Sequence, residues 1–142
     1  MPSAALDRLA RTGSLKREPP AASELDALLD SGEARLEDAS IPSLALESRF
    51  DLAYNAAHSI SLAALRFHGF RSENRYLVFQ TLVHTVGLAS EQWRILDDAH
   101  RKRNAVEYRG ITDVDEQLVA AVIRVTTEVL KRTRALIASQ EP

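Results

Sequence analysis

The sequence predicts an all-α protein, an up-and-down bundle of four to five helices joined by short connections. Apolar residues recur at spacings of three and four in the long segments of the chain, which is the period of an amphipathic helix. Glycine followed by serine or threonine separates several of these segments. Hydrophobic residues make up 45% and charged residues 27% of the 142 residues, which is typical of one globular domain.

The first segment differs from the rest of the chain. Residues 1–22 end in Pro19-Pro20 and are predicted to be a flexible N-terminal arm, with a helical turn at 3–11. Residues 23–142 are predicted to form a single helical-bundle domain.

Two helices begin this domain. The first is predicted at 23–38, where Ser23 opens it and Gly32 weakens its middle, and Pro42 separates it from the second at 43–68. The second helix is apolar on most sides, with the stripe Leu46, Phe50, Ala53, Ala57, Ile60 and Ala64 flanked by Ala45, Leu52, Ala56 and Ala63. Its narrow polar strip consists of Glu47, Asp51, Asn55 and His58. A helix of this kind is usually the central one of a bundle.

Three pairs of a glycine and a following hydroxyl residue divide the second half of the chain. They are Gly69 with Ser72, Gly87 with Ser90, and Gly110 with Thr112. Glycine closes a helix in the left-handed conformation, and the hydroxyl caps the next helix. The pairs predict helices at 72–86, 90–109 and 113–138. The apolar run 75–83 also suits a strand, but the signals on both sides favour a helix.

Composition excludes several classes of protein. There is no cysteine, so disulfides and thiolate chemistry are excluded. The net charge of −2 means that any nucleic-acid contact requires a local basic patch. No apolar run approaches the roughly 20 residues that span a bilayer. The first twenty residues contain Asp7 and Glu18 and do not resemble a secretory signal. We therefore expect a cytoplasmic protein with no membrane contact.

Motifs for cofactors and metals are missing from the sequence. It contains no GxGxxG or P-loop pattern, no HExxH and no G-x-S-x-G. The four histidines lie on different predicted helices or turns, without the spacing of three or four that directs two ligands at one metal. We expect no cofactor and no metal site.

The segment 97–108 carries the most specific information. On a helix, Arg103 falls between the inward-facing Ala99 and Val106, so one arginine is directed toward the core side. A guanidinium keeps its charge and, when buried, needs a carboxylate, a carbonyl or a ligand as its partner. The candidate carboxylates are Glu107, one turn later, and Asp51 on the central helix.

Polar neighbours surround this arginine in the sequence. Asn104 and Tyr108 share a helix face, and His100 lies one turn before Asn104. Two interpretations remain open: an arginine at a helix–helix seam is more often a structural ion pair than a catalytic group, and a polar strip on a helix is often simply solvated.

The pattern Arg103-Asn104-x-x-x-Tyr108 resembles the motif of the HEPN superfamily, which comprises small helical domains often found beside minimal nucleotidyltransferases. In that family the arginine is commonly followed by a polar residue, and a histidine comes four to six residues later. Val106-Glu107-Tyr108 is similar to a prokaryotic branch whose motif ends with alanine, an acid and tyrosine.

The resemblance continues upstream, where 51–58 and 65–71 look like the family's long second helix and the turn that follows it. It covers roughly residues 35–135. It implies a helical bundle that forms a homodimer, with the motif arginine and histidine of both subunits cleaving RNA without a metal. It also implies a toxin–antitoxin pairing with a nucleotidyltransferase, in which a motif tyrosine can receive a nucleotide.

The chain departs from the family at the histidine, because positions 108 to 110 are tyrosine, arginine and glycine. A phenol titrates near pH 10 and is a poor base at neutral pH. The catalytic candidates are therefore Arg103 with His58 or His100. The binding candidates are Asn104, Tyr108, Glu107, Asp51 and Asn55.

Two functions follow from these predictions. The first is an RNA- or nucleotide-binding component of a toxin–antitoxin pair with a degenerate ribonuclease motif. The alternative is a non-enzymatic partner module of a nucleotidyltransferase or another protein.

Overall fold

The computed structural model describes residues 4–109 and 114–140, and the side chains of 106–109 lie outside that description. The described elements, in chain order, are α1 (Ala4–Arg11), β1 (Lys16–Arg17), α2 (Ala22–Ala39), α3 (Leu46–Phe67), β2 (Phe70–Arg71), α4 (Arg75–Gln80), α5 (Leu82–Thr85), α6 (Ser90–Arg109) and α7 (Glu116–Gln140). The predicted all-α class is confirmed, since the two strands contain only two residues each.

α3 lies at the centre of the fold and contacts α2, α7, α4, α5 and α6. Its alanines are almost completely buried, which lets the neighbouring helices approach closely. The main core forms where α3 meets α2 and α7, and it contains the predicted apolar stripe from Phe50 to Ala64. The amphipathic period therefore identified the central helix correctly.

The contact between α2 and α3 depends on Gly32, which is buried within α2. A Cβ atom built at this position would lie 2.7 Å from Cδ1 of Ile60 and 3.4 Å from the carbonyl oxygen of Ala56. The glycine was predicted to weaken the helix. The structure adds a reason for a glycine at this position, because a Cβ atom here would overlap the buried side chain of Ile60.

Residues 4–21, which the sequence assigned to a flexible arm, contact the bundle in the structure. Leu6 in α1 and Leu15 are buried with Leu65, Phe70 and Val78 in a second, smaller core. β1 pairs with β2 in antiparallel register, with Lys16 opposite Arg71 and Arg17 opposite Phe70.

A buried arginine joins this segment to the bundle. Arg66 in α3 is only 1% exposed, and its Nη1 donates to the carbonyl oxygen of Glu18 at 2.8 Å. Its Nη2 donates to the carbonyl oxygen of Pro19 at 2.9 Å, and its Nε donates to the Glu24 carboxylate at 3.0 Å. Glu24 and Glu18 also accept hydrogen bonds from Arg71. Such partners are what a buried guanidinium requires.

The predicted helix at 72–86 is divided in the structure. Gly69 ends α3 with a φ of 89°, as its position predicted. Asn74, and not Ser72, caps the next helix, since its Oδ1 accepts from the Leu77 amide at 3.1 Å. Thr81 then separates α4 from α5, and the strand alternative for 75–83 was wrong.

Other helix ends also differ from the predictions. α2 begins after Ala21 without a side-chain cap, so Ser23 is not its cap. α3 begins at Leu46, three residues later than predicted. The Asp115 carboxylate accepts from the Leu118 amide at 2.8 Å at the start of α7. The Gly110 and Thr112 signal lies outside the described residues. No helix in the described part of the chain is long and apolar enough to span a membrane.

Candidate anion-binding site

Tyr54 of α3 is the residue around which the candidate site is arranged. Its side chain is fully buried, and two guanidinium groups lie over its ring. The Cζ atom of Arg103, on α6, is 4.9 Å from the ring centroid, and that of Arg75, at the start of α4, is 5.5 Å away. Each such cation–π contact contributes roughly 0.5–2 kcal/mol. Three helices thus bring two positive charges to one aromatic ring.

His100 of α6 lies beside the same ring and is hydrogen-bonded through both of its nitrogens. Its Nδ1 lies 2.9 Å from the hydroxyl of Tyr54, and its Nε2 lies 3.4 Å from the amide nitrogen of Asn104. Because an amide nitrogen only donates, we assign the imidazole proton to Nδ1, which donates to Tyr54. Burial lowers the pKa of His100, nearby Arg75 and Arg103 lower it further, and Asp97 opposes them. His100 is therefore neutral and held in one orientation.

His58 of α3 is the second imidazole in the site. Its ring lies edge-on to Phe79 at 6.4 Å, and His100 contacts the same phenyl ring at 6.3 Å. Burial lowers the pKa of His58 to about 4, and the positive charges of Arg75 and Arg103 contribute to the shift. Among the side chains that the structure describes, which exclude those of 106–109, His58 has no hydrogen-bond partner. Its neutral imidazole is therefore available to a ligand.

Asn55 and Asp51 lie one turn and two turns before His58 along the polar strip of α3. The Oδ1 atom of Asn55 accepts from Nη1 of Arg75 at 3.4 Å, and its Nδ2 donates to the carbonyl oxygen of Asp51 at 2.9 Å. The Asp51 side chain is exposed and is not the carboxylate partner that was considered for Arg103. Asn55 therefore belongs to the cluster, whereas the Asp51 carboxylate does not.

Five of the residues predicted as site candidates lie near one another in the structure. The structure brings Arg103, His58, His100, Asn104 and Asn55 together between α3, α4 and α6. The side chains of the predicted candidates Glu107 and Tyr108 lie outside the described residues.

Sequence reasoning missed Tyr54, Arg75 and Phe79. Tyr54 comes four residues before His58, so an aromatic residue beside the polar strip was an available signal. Arg75 and Phe79 approach through the packing of α4, which no local spacing reveals.

The cluster suits an anion. The positive charges of two guanidiniums attract phosphate oxygens, and the imidazole of His58 supplies a site that can take up a proton. A groove of about 470 Å³ borders three members of the cluster, His58, Asn55 and Arg75. Among the described residues there is no group of three or more histidine, aspartate or glutamate side chains that could hold a metal ion.

Comparison with known proteins gives no family for this chain. It matches no protein-family model, no curated protein and no solved structure.

Proposed function

We propose that this protein is a HEPN-like domain that binds RNA or a nucleotide through the cluster around Arg103. The observation that supports it best is the placement of Arg103 and Arg75 over the Tyr54 ring, in a chain whose net charge is −2. A local cationic site in a slightly acidic protein favours selective contact with phosphate over general adhesion to nucleic acid. The proposed setting is a homodimer within a toxin–antitoxin pair.

His58 is the better candidate for acid–base chemistry if the domain cleaves RNA. Both nitrogens of His100 are occupied by Tyr54 and Asn104, so His100 acts as a positioning residue. His58 has an open imidazole beside Arg75, and a bound phosphate would raise its pKa by opposing the arginine charges. Cleavage would then be metal-independent, with His58 in place of the missing motif histidine.

The test is RNA binding by purified variants. With a fluorescent single-stranded RNA at low salt, Arg103→Ala and Arg75→Ala are each expected to weaken binding about tenfold, because each removes a charged donor worth about 1.5–3 kcal/mol. Arg94→Ala is the matched control. It removes the same charge from α6, nine residues away on the opposite helix face, where the side chain is exposed.

Two measurements can contradict the proposal of an RNA-binding homodimer: RNA affinity of the variants and molar mass in solution. If Arg103→Ala and Arg75→Ala keep the helical circular dichroism of the wild type and bind RNA as tightly as Arg94→Ala does, the cluster is not the binding site. A molar mass of one chain, about 15.7 kDa, at micromolar concentration would remove the homodimer.

A non-enzymatic partner module is the second candidate. It is favoured by the contact of Arg103 with a fully buried tyrosine, which is also what a purely structural arginine would make. This candidate predicts no RNA cleavage and no RNA binding by the wild type, and a loss of stability in Arg103→Ala. Its proposed partner is a nucleotidyltransferase, and a complex of the two purified proteins that survives gel filtration would support it.

A further inference from the structure

The groove beside the candidate site has the properties of a separate ligand pocket. It lies between α2, α3 and the start of α4 and encloses about 470 Å³. Arg35 and Ser31 line it from α2, His58 lines it from α3, and Arg75 lines it from α4. Small-molecule sites typically enclose roughly 300–1,000 Å³. The groove is therefore large enough for a small organic ligand.

Two arginines line the groove, and among the described side chains neither has a carboxylate within ion-pair distance. Arg35 donates to the hydroxyl of Ser31, and Arg75 donates to the amide oxygen of Asn55. Arginine stays charged at any physiological pH. Two guanidiniums on different walls of one groove therefore attract an anion between them.

The other end of the groove holds a carboxylate that is already ion-paired with two arginines. Glu24 also lines it, eleven residues before Arg35 on α2, which corresponds to about 16 Å along a helix axis. Hydrogen bonds from Arg66, and then from Arg71, hold the pKa of Glu24 below its usual value, so its carboxylate is ionised. Because Arg66 and Arg71 already pair with carboxylates, they offer an anion no unpaired positive charge at this end, and its preferred position is beside Arg35 and Arg75.

The wall between these two ends is apolar. Leu28 and Leu62 line it, and the Ser59 hydroxyl donates to the carbonyl oxygen of Leu28 at 2.7 Å, which leaves that hydroxyl committed to the protein. A ligand that fits this groove has an anionic end and an uncharged body that can lie against aliphatic side chains.

We propose that this groove binds a terminal phosphate monoester, with Arg35, Arg75 and His58 around the phosphate. The proposed function, binding of RNA or a nucleotide, supplies a nucleoside as the uncharged body. A monoester carries about −1.5 to −2 charges at pH 7, more than the single charge of an internal phosphodiester, so two guanidiniums favour it. The inference rests on the proposed function, because Arg75 and His58 belong to both sites, whereas Arg35 belongs to the groove alone. The monoester has two possible sources, a free nucleoside monophosphate and the 5′ end of an RNA.

The test uses the full chain and isothermal titration with AMP, adenosine and inorganic phosphate. AMP is expected to bind at least about tenfold more tightly than adenosine, because only AMP reaches both guanidiniums. Arg35→Ala is expected to weaken AMP binding about tenfold, and the variant should fold as the wild type does because Arg35 is exposed. Arg94→Ala is expected to bind AMP as the wild type does.

A second comparison separates the two sources. Tighter binding of a 5′-phosphorylated RNA than of the same RNA with a 5′ hydroxyl indicates the RNA end, and preference for AMP over both RNAs indicates the free nucleotide. Either result supports the assignment. Equal binding of AMP and adenosine, or unchanged AMP binding by Arg35→Ala, overturns it.

Failure of this inference can be distinguished from failure of the proposed function. RNA binding that is lost in Arg103→Ala, with AMP binding unchanged in Arg35→Ala, overturns the groove assignment and leaves the proposed function intact. AMP binding that is lost in Arg35→Ala, with RNA binding unchanged in both Arg103→Ala and Arg75→Ala, supports the groove and removes the proposed function.

Discussion

At the scale of single residues, Tyr54 joins three kinds of contact that rarely meet on one buried side chain. Its ring lies under Arg75 and Arg103, its edge meets Phe79 at a centroid distance of 6.0 Å, and its hydroxyl lies 2.9 Å from His100. The ring and the hydroxyl can be separated by substitution, because phenylalanine keeps the ring and removes only the hydrogen bond.

Tyr54→Phe is expected to lower the free energy of unfolding by about 1–2 kcal/mol, because Nδ1 of His100 is left without its partner. RNA binding should change little, since both cation–π contacts remain. Urea denaturation and RNA titration of the same sample measure the two effects. Tyr76→Phe, which changes a tyrosine that is 40% exposed, is the control, and an equal loss in both variants would contradict the role given to this hydrogen bond.

His58 gives the protein a dependence on pH. Its pKa is about 4 in the folded protein and about 6.5 in an unfolded chain, so between these values the unfolded chain binds more protons. The free energy of unfolding therefore rises with pH over this interval. The contribution of His58 is complete above pH 6.5 and is lost as the pH falls toward 4. Glu24 affects the free energy of unfolding only at lower pH, because hydrogen bonds from Arg66 and Arg71 hold the pKa of its carboxyl below the usual value.

The unfolding free energy of the wild type should be higher at pH 7 than at pH 5. We expect His58→Gln to reduce this difference by about 1–2 kcal/mol, a range that allows for the partial solvent exposure of His58. The residual slope belongs to His100, whose pKa is also lowered. Urea denaturation at the two pH values measures it. His84→Gln changes an exposed histidine and serves as the control, and an unchanged slope in His58→Gln would refute the assignment.

At the scale of elements, the close approach of α2 to α3 decides the effect of a small substitution. Alanine in place of glycine inside a helix normally stabilises it by up to about 1 kcal/mol. At Gly32 the added methyl group would overlap Ile60, and overpacking of this kind costs about 1–3 kcal/mol. Steric overlap is therefore expected to exceed the gain in helix propensity.

Gly32→Ala is accordingly expected to lower the thermal midpoint of unfolding, although a rule based on propensity predicts the opposite sign. The double variant Gly32→Ala/Ile60→Ala makes room for the methyl group and should lose less stability than the sum of the two single variants. Additive losses, or a Gly32→Ala protein that is more stable than the wild type, would show that the helices do not approach so closely.

At the scale of the whole molecule, Arg66 connects the N-terminal segment 4–21 to the main bundle through its hydrogen bonds to Glu18 and Pro19. Arg66→Met should cost about 3–5 kcal/mol, because it leaves the Glu18 and Pro19 carbonyls without their donor. It should also make residues 4–21 sensitive to limited proteolysis under native conditions. Arg101→Ala, at a surface ion pair, should cost less than about 1 kcal/mol, and similar costs for both would contradict the role of Arg66.

The sequence allowed the bundle and part of the site to be predicted, for reasons that are local. The apolar period located α3. A rotation of 100° per residue along the helix predicted that Arg103 faces the core, with His100 and Asn104 nearby. The part missed depends on distant contacts. The sequence assigned Leu6 and Leu15 to an arm because their apolar partners, Leu65, Phe70 and Val78, lie about 50 to 70 residues later. Arg75 reaches Tyr54 only through the packing of α4.

The smaller core, which joins Leu6 and Leu15 to Leu65, Phe70 and Val78, also has a consequence during synthesis of the chain. During translation, Leu6 and Leu15 leave the ribosome well before Leu65, Phe70 and Val78 have been added, so the two leucines have no apolar surface to cover them at first. Products that stop before residue 65 would keep these leucines in water, and we expect them to aggregate or be degraded more readily than the finished chain.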